Sequence, residues 1–307
     1  MDKIKKVKEE IKKVIKGKDH IIDRTLEVML CGGHILLEDM PGVGKTTLST
    51  TISRVIKLEY KRVQFTPDVM PGDITGYYMY DKKSGEFVYR KGACMCNLLL
   101  ADEINRTSPK TQSALLEIME EGKVTVESET RELPKPFTVI ATQNPFGSFG
   151  TQRLPQSQLD RFLIKISMGY PDKASEIEIL KNPSREAIDD LENVIEAEDI
   201  IKYKKEIANI HTDEKIYEYI TNIANATRES EYTDIGVSPR GSRAMLKMAR
   251  AEAFMNGKDY VSAENVKNVY YDVCNHRIEL SARAKSKGMT EKDVLEEIID
   301  NVKVPRL

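Results

Sequence analysis

The chain has 307 residues, with 47 Lys and Arg against 49 Asp and Glu and a formal net charge of −2. That length suits about two domains at roughly 150 residues each, and the near balance of charge argues against bulk attraction to nucleic acid. No run approaches the ~20 apolar residues of a membrane span, and the opening MDKIKKVKEE lacks the apolar stretch of a secretory signal. The four cysteines (Cys31, Cys94, Cys96, Cys274) and four histidines form neither a CxxC pair nor an HExxH helix, which argues against a zinc site or a disulfide framework. The expectation is a soluble, cytoplasmic, two-domain protein.

In chain order, Ile4, Val7, Ile11, Val14 and Ile15 recur at helical spacing through 2–18, with eight lysines on the other faces. A solvated helix packed on its apolar stripe explains this segment. No aromatic anchors favour a membrane or nucleic-acid helix. Apolar runs at 34–38, 60–65, 98–101, 137–141 and 162–166 read as strands, with helical patterns at 46–57 and 108–121 between them. Strands alternating with helices imply crossover units and a parallel sheet. Two segments read as inserted hairpins: 76–90, around Ser84-Gly85, and 123–136, around Ser128–Thr130. After Tyr170-Pro171 the strands stop, and 173–182, 213–229, 239–256, 262–275 and 290–302 read as helices. The expected organisation is an α/β domain over 1–171, including the N-terminal helix, and an all-α domain over 172–307.

The segment 35–47, ILLEDMPGVGKTT, joins a buried strand to a helix through Pro41, Gly42, Val43, Gly44, Lys45, Thr46 and Thr47. This is the context of a phosphate-binding loop. Glycines let backbone amides approach phosphates as an anion nest, and the helix N-terminus adds its positive dipole end. Lys45 then reaches the β and γ phosphates of ATP, and the Thr46 hydroxyl holds Mg²⁺. The full pattern G-x-x-x-x-G-K-[ST] has its first Gly at Asp39 here. A carboxylate ~8 Å from a triphosphate, at an effective dielectric of ~20, repels each unit charge by roughly 2 kcal/mol. Asp39 is therefore expected to weaken nucleotide binding, so that Asp39→Gly tightens it. The competing reading is that Asp39 turns away and bonds a backbone amide.

The run NLLLADE at 97–103 supplies the second half of such a site. Asp102 falls in the Mg²⁺ shell, and Glu103 is placed to polarise the attacking water. Asn144, past the strand TVIAT, can orient the same water. Arg161 follows LPQSQLD. Arg240 lies in SPRGSR, where Ser238 as N-cap and Pro239 at the first helical position put Arg240 and Arg243 on the first turn of a helix. A guanidinium stabilises charge on a transferring phosphoryl group, and an ordinary surface ion pair is the alternative for each.

Taken in order, LLEDMPGVGKTTL, QFTPDVMPGDITG, LLLADEINRTSPKTQSALLEIMEE, VIATQNP, LPQSQLDRF and GVSPRGS resemble the MoxR family of AAA+ ATPases, from about residue 8 to about residue 303. The resemblance implies a P-loop AAA+ core with two hairpin insertions, followed by a helical lid. It places Lys45 and Thr46 in Walker A, Asp102 and Glu103 in Walker B, and Asn144 at sensor 1. Arg161 matches the arginine finger acting on a neighbouring subunit's ATP, and Arg240 matches sensor 2. It further implies a homo-hexameric ring, a von Willebrand factor A-domain partner, and hairpins lining the pore or face of the ring. There are three departures from the family's usual pattern: Asp39, Gln156 in place of Glu, and Ala93-Cys94-Met95-Cys96 after Gly92.

The function expected from these residues is a ring ATPase that remodels or matures partner proteins. The AAA+ subunit of a metal chelatase would share the motifs, but no His/Cys/Asp cluster suits a metal substrate. A nucleic-acid motor is disfavoured by the net charge and the lack of a DNA-binding motif. A GTPase is rejected for want of [NT]-K-x-D.

Overall fold

The computed structural model describes residues 2–40, 42–144, 154–181 and 188–306. Among these, five parallel strands form the central sheet: β1 (Ile35–Glu38), β2 (Tyr60–Gln64), β5 (Leu98–Asp102), β8 (Thr138–Gln143) and β9 (Ile164–Ile166), in the order β2-β5-β8-β1-β9. The helices α3 (Lys45–Val55) and α5 (Pro109–Glu121) return the chain between strands. The hairpins expected from alternation are β3 (Gly76–Asp81) with β4 (Glu86–Lys91), and β6 (Lys123–Val126) with β7 (Glu129–Glu132). A short helix, α4 (Pro71–Thr75), leads into the first of them.

The strand runs are apolar on both faces because each face is covered. Ile35, Leu37, Leu98, Leu100 and Ile140 enter one core, shared with α3 and the N-terminal helices. Leu36, Leu99, Ala101, Val139 and Ala141 enter the other, beneath α5. Cys94 and Cys96 lie fully buried in this second core, and burial pushes their thiols up to about 11 and about 12. The Cys94–Cys96 part of the departure after Gly92 therefore packs as apolar core.

Several elements differ from the sequence expectation. The first helix, α1, spans Asp2–Val14, and a second, α2 (Asp19–Cys31), follows it. Of the eleven residues of α2 from Ile21 to Cys31, all but Asp23 are buried, so no polar face marks its period. The helical region, which contains α6 (Gln156–Leu159) and α7 (Lys173–Lys181) at its approach, adds α8 (Ala197–Ala208), also unforeseen. It continues through α9 (Glu214–Glu229), α10 (Pro239–Met255), α11 (Ala263–Cys274), α12 (Ala282–Ser286) and α13 (Glu291–Asn301). It is not free of strands: β10 (Thr233–Ile235) pairs antiparallel with β11 (Glu279–Leu280). Both are too short for period two to register. The second hairpin turns at Glu127-Ser128, where both residues have positive φ (48° and 72°), not at Ser128–Thr130.

Polar side chains join these layers. Arg131 of β7 donates to the Tyr78 hydroxyl (2.8 Å) and stacks 4.1 Å from the Tyr89 ring, clamping the second hairpin to the first. Arg24 of α2 sits between Glu27 and Asp272 of α11. Arg277, 3% exposed, donates to Asp160 Oδ1 (2.7 Å) and to the carbonyls of Phe162 (2.6 Å) and Leu163 (3.2 Å), fastening the helical region to the approach of β9. Gln156 donates from Nε2 to the His276 carbonyl at 2.6 Å, a bond a carboxylate could not make.

His34, just before β1, is half-buried between β8 and α5. Its Nδ1 accepts from the Val139 amide (3.0 Å) and its Nε2 donates to the Met119 carbonyl (2.9 Å), which fixes the neutral tautomer. Burial pushes its pKa down to about 4. Between 6.5 and 4 the unfolded chain therefore binds more protons at this group, and stability falls as pH falls. Glu27, pushed up to about 7 by burial, titrates in the opposite sense. The diagnostic quantity is thus the stability difference between wild type and His34→Gln. It should shift against wild type by about 2 kcal/mol between pH 7 and pH 5, measured by urea unfolding. A pH-independent difference would show that His34 is not held neutral.

Candidate functional site

In a parallel sheet the loops after each strand gather at one end, which is where ligands of open α/β folds bind. The loops after β1, β5 and β8 bring the candidate residues there. Gly42 and Gly44 adopt positive φ (88° and 97°), and α3 starts at Lys45 with its first amides directed into the loop. Lys45 Nζ donates to the Asp39 carbonyl (3.1 Å), closing the loop across its own mouth. Thr46 and Thr47 lie half-buried on the first turn. Pro41 lies outside the described residues.

Asp39 follows the competing reading and not the electrostatic one. It is 5% exposed, and its carboxylate accepts from Ser167 Oγ (2.7 Å), the Met168 amide (2.6 Å) and the Gly169 amide (3.0 Å). The charge is spent on the turn after β9, not aimed at the loop. Three bonds to a buried carboxylate make it structural, and a glycine there would orphan the Met168 and Gly169 donors.

Asp102 ends β5 on the face that carries α3. Its Oδ1 accepts from Thr142 Oγ1 (2.6 Å) and its Oδ2 from Arg62 Nη2 (2.7 Å). Glu103 takes a left-handed conformation (φ 58°, ψ 49°), which costs a non-glycine residue roughly 1–2 kcal/mol. Its amide donates to Thr142 Oγ1 (2.8 Å), and its Oε2 accepts from Arg106 (2.7 Å). Asn144 follows the end of β8, and its carbonyl accepts from Asn105 Nδ2 at 3.5 Å. Hard oxygen donors from Thr46 and Asp102 are the set that Mg²⁺ takes. Asp102 already holds a cationic partner in the half-exposed guanidinium of Arg62, so the position accommodates positive charge.

Arg161 and Arg240 are not at this end of the sheet. The Leu163 amide bonds the His34 carbonyl (2.8 Å), so Arg161 enters at the opposite end of β1, a four-residue strand of about 13 Å away from the loop. There Arg161 Nε meets Glu120 Oε2 (3.2 Å), near the C-terminus of α5, and Arg240 meets Glu120 Oε1. Ser238 caps α10 as expected, accepting from the Gly241 amide, and its hydroxyl also donates to Asp160 Oδ2 (2.8 Å). One carboxylate thus joins the two arginines at their tips, and Asp160 joins the segments that bear them. Glu120, Asp160, Arg62 and Thr142 were not singled out from sequence. Asp160 adjoins Arg161 in the LDRF stretch and Thr142 lies within the strand run before Asn144; nothing in the sequence marked the other two.

A phosphate loop after the first strand, paired acids at the end of its second neighbour and a helical lid in the strand order 2-5-8-1-9 define an AAA+ nucleotide-binding module. Residues 34–164 match the model of the ATPase family associated with various cellular activities (AAA), and 225–298 match the AAA lid domain. The chain is 36% identical to Chaperone MoxR1 of Mycobacterium tuberculosis, covering 97% of this chain and 81% of that one. It is 46% identical to YeaC of Bacillus subtilis, covering 98% and 94%. The crystal structure of a candidate ATPase from Cytophaga hutchinsonii superposes with a TM-score of 0.93 at 38% identity, over 99% of this chain and 96% of that one. The chain belongs to the MoxR family of AAA+ ATPases.

Asp39→Gly should lower the unfolding free energy by about 2–4 kcal/mol and leave ATP affinity equal or weaker, by urea unfolding and isothermal titration. Tighter ATP binding at unchanged stability would restore the electrostatic role.

Proposed function

We propose that this protein hydrolyses ATP at sites shared between subunits of a ring, and uses the turnover to remodel or mature partner proteins. The observation that carries the reading is the placement of Arg161 and Arg240 on Glu120, at the opposite end of the sheet from Lys45, Asp102 and Glu103. Neither arginine is placed to meet a nucleotide on its own phosphate loop. A second copy set against that loop would supply both. In this reading Arg240 acts in trans, as Arg161 does.

Within one site, the loop amides and Lys45 bind the phosphates, and Thr46 and Asp102 would hold Mg²⁺, which neutralises phosphate charge when bound. Glu103 takes a proton from the attacking water, oriented by Asn144. The two guanidinia of the neighbour meet charge developing on the transferred phosphoryl group. A homo-hexamer, the ring size implied by the family resemblance, would hold six such interfaces in the cytoplasm. A domain division at Pro171 would put Arg240 on the lid. The first hairpin supports a protein client: Tyr77, Met79 and Val88 are exposed on one face and Tyr80 and Phe87 on the other, and exposed apolar side chains grouped in this way mark a protein contact. A von Willebrand factor A-domain protein is the partner class we favour, on the family resemblance.

Glu103→Gln should retain ATP and lose turnover, because the amide keeps the geometry but is a poor base. Turnover near wild type would remove that role from Glu103. Arg161→Ala should lose hydrolysis, with arginine fingers in trans contributing roughly 10³–10⁵ in rate. Mixed with Lys45→Ala protein it should regain part of the activity, since a mixed interface can be intact on both sides. Exchange of subunits without recovery would show that the site is not shared.

A further inference from the structure

Leu98, Leu100 and Asp102 share one face of β5, and Ile140 and Thr142 share the same face of β8. Ala101 pairs with Ala141, so Asp102 and Thr142 stand opposite one another at the strand ends. Thr142 is fully buried. Its single hydroxyl lies 2.6 Å from Asp102 Oδ1 and 2.8 Å from the Glu103 amide nitrogen. A carboxylate can only accept and an amide N–H can only donate, so the direction is fixed. The Glu103 N–H donates to Thr142 Oγ1, whose own proton goes to Asp102. This chain of two bonds polarises along its length.

From this geometry we infer that Thr142 is a positioning residue for both acids. Its oxygen anchors the left-handed backbone at Glu103, a conformation disfavoured for a glutamate and dependent on its surroundings to persist. Its proton fixes the rotamer of Asp102, leaving Oδ2, now on Arg62, to face the cation. Because Thr142 lies on β8 two residues before Asn144, a shift of that strand end moves both acids together. A threonine that merely satisfied its hydroxyl would need only one partner. This one bridges two groups of separate proposed roles that are adjacent in sequence. The inference rests on the reading of Asp102 and Glu103 given under the proposed function.

Thr142→Val keeps the shape and removes both bonds; Thr142→Ala removes them without setting a methyl against Asp102; Thr142→Ser keeps the hydroxyl. Misplacement on the scale of 1 Å can cost 10²-fold in rate. The expected result is therefore a fall in kcat of roughly 30- to 100-fold in the Val and Ala variants, with KM for ATP nearly unchanged, a modest fall in thermal midpoint from the two groups left unpaired, and near-complete rescue in Ser. Amide hydrogen exchange at Glu103 should lose protection in Val and Ala and keep it in Ser. Turnover near wild type in Val or Ala would overturn the inference. So would a loss of ATP affinity and thermal stability that tracks the loss of rate in whichever of the two folds, or in both failing to fold, since these mark a residue of the fold alone. If the wild type itself does not hydrolyse ATP, the ATPase reading fails, while Glu103 exchange still tests the Thr142 link.

Discussion

Every strand of the central sheet runs the same way, and that direction divides the chemistry of the molecule. Loops leaving β1, β5 and β8 open at one end, so the phosphate loop, the paired acids and Asn144 collect there. Helices returning between strands end at the other, so α5 delivers Glu120 to the end where the chain enters β9 beside Arg161. A strand is rigid and cannot be crossed by side-chain motion, so cationic and phosphate-binding halves in one copy stay apart. Two copies side by side can bring them together. Chemistry that stabilises charge with preformed dipoles and guanidinia depends on such placement more than on the strength of any single bond.

The lid is held at the arginine end by buried polar contacts. Arg277 ties Asp160, Phe162 and Leu163 to the end of α11, and Asp160 also holds the cap of α10, from which Arg240 projects. A buried ion pair of this type adds little net stability compared with an apolar replacement, but removing one partner leaves an uncompensated charge. We interpret it as fixing the lid's position, so that Arg161 and Arg240 are presented as a unit. The Glu120 carboxylate pairs with both guanidinia.

The sequence was most legible where local chemistry repeats a short pattern. Strand runs, the two hairpins, the glycine-bearing loop and the acid pair were all read within a few residues of their observed positions. Elements with no polar face were not: α2 is buried on nearly every side, and its period is invisible among apolar neighbours. Helix α8 lies in a charged stretch in which only Ile200, Tyr203 and Ile207 are buried. The lid strands are two and three residues long, below the length at which alternation can be seen. Asp39 was misjudged because its partners, Ser167 to Gly169, lie some 130 positions away in the chain, and only the fold shows that they converge. Separations of 40 and 120 positions hide Thr142 from Asp102 and Glu120 from Arg240, for no local spacing encodes a contact between strands or between domains.

The central claim is that one nucleotide is served by two copies of the chain. A structure of the assembled protein with a non-hydrolysable ATP analogue tests it most directly. The expected map shows Lys45 of one copy and Arg161 and Arg240 of its neighbour on the same triphosphate, with both arginines released from Glu120. A nucleotide enclosed by a single chain, with both arginines still on their own Glu120, would contradict it.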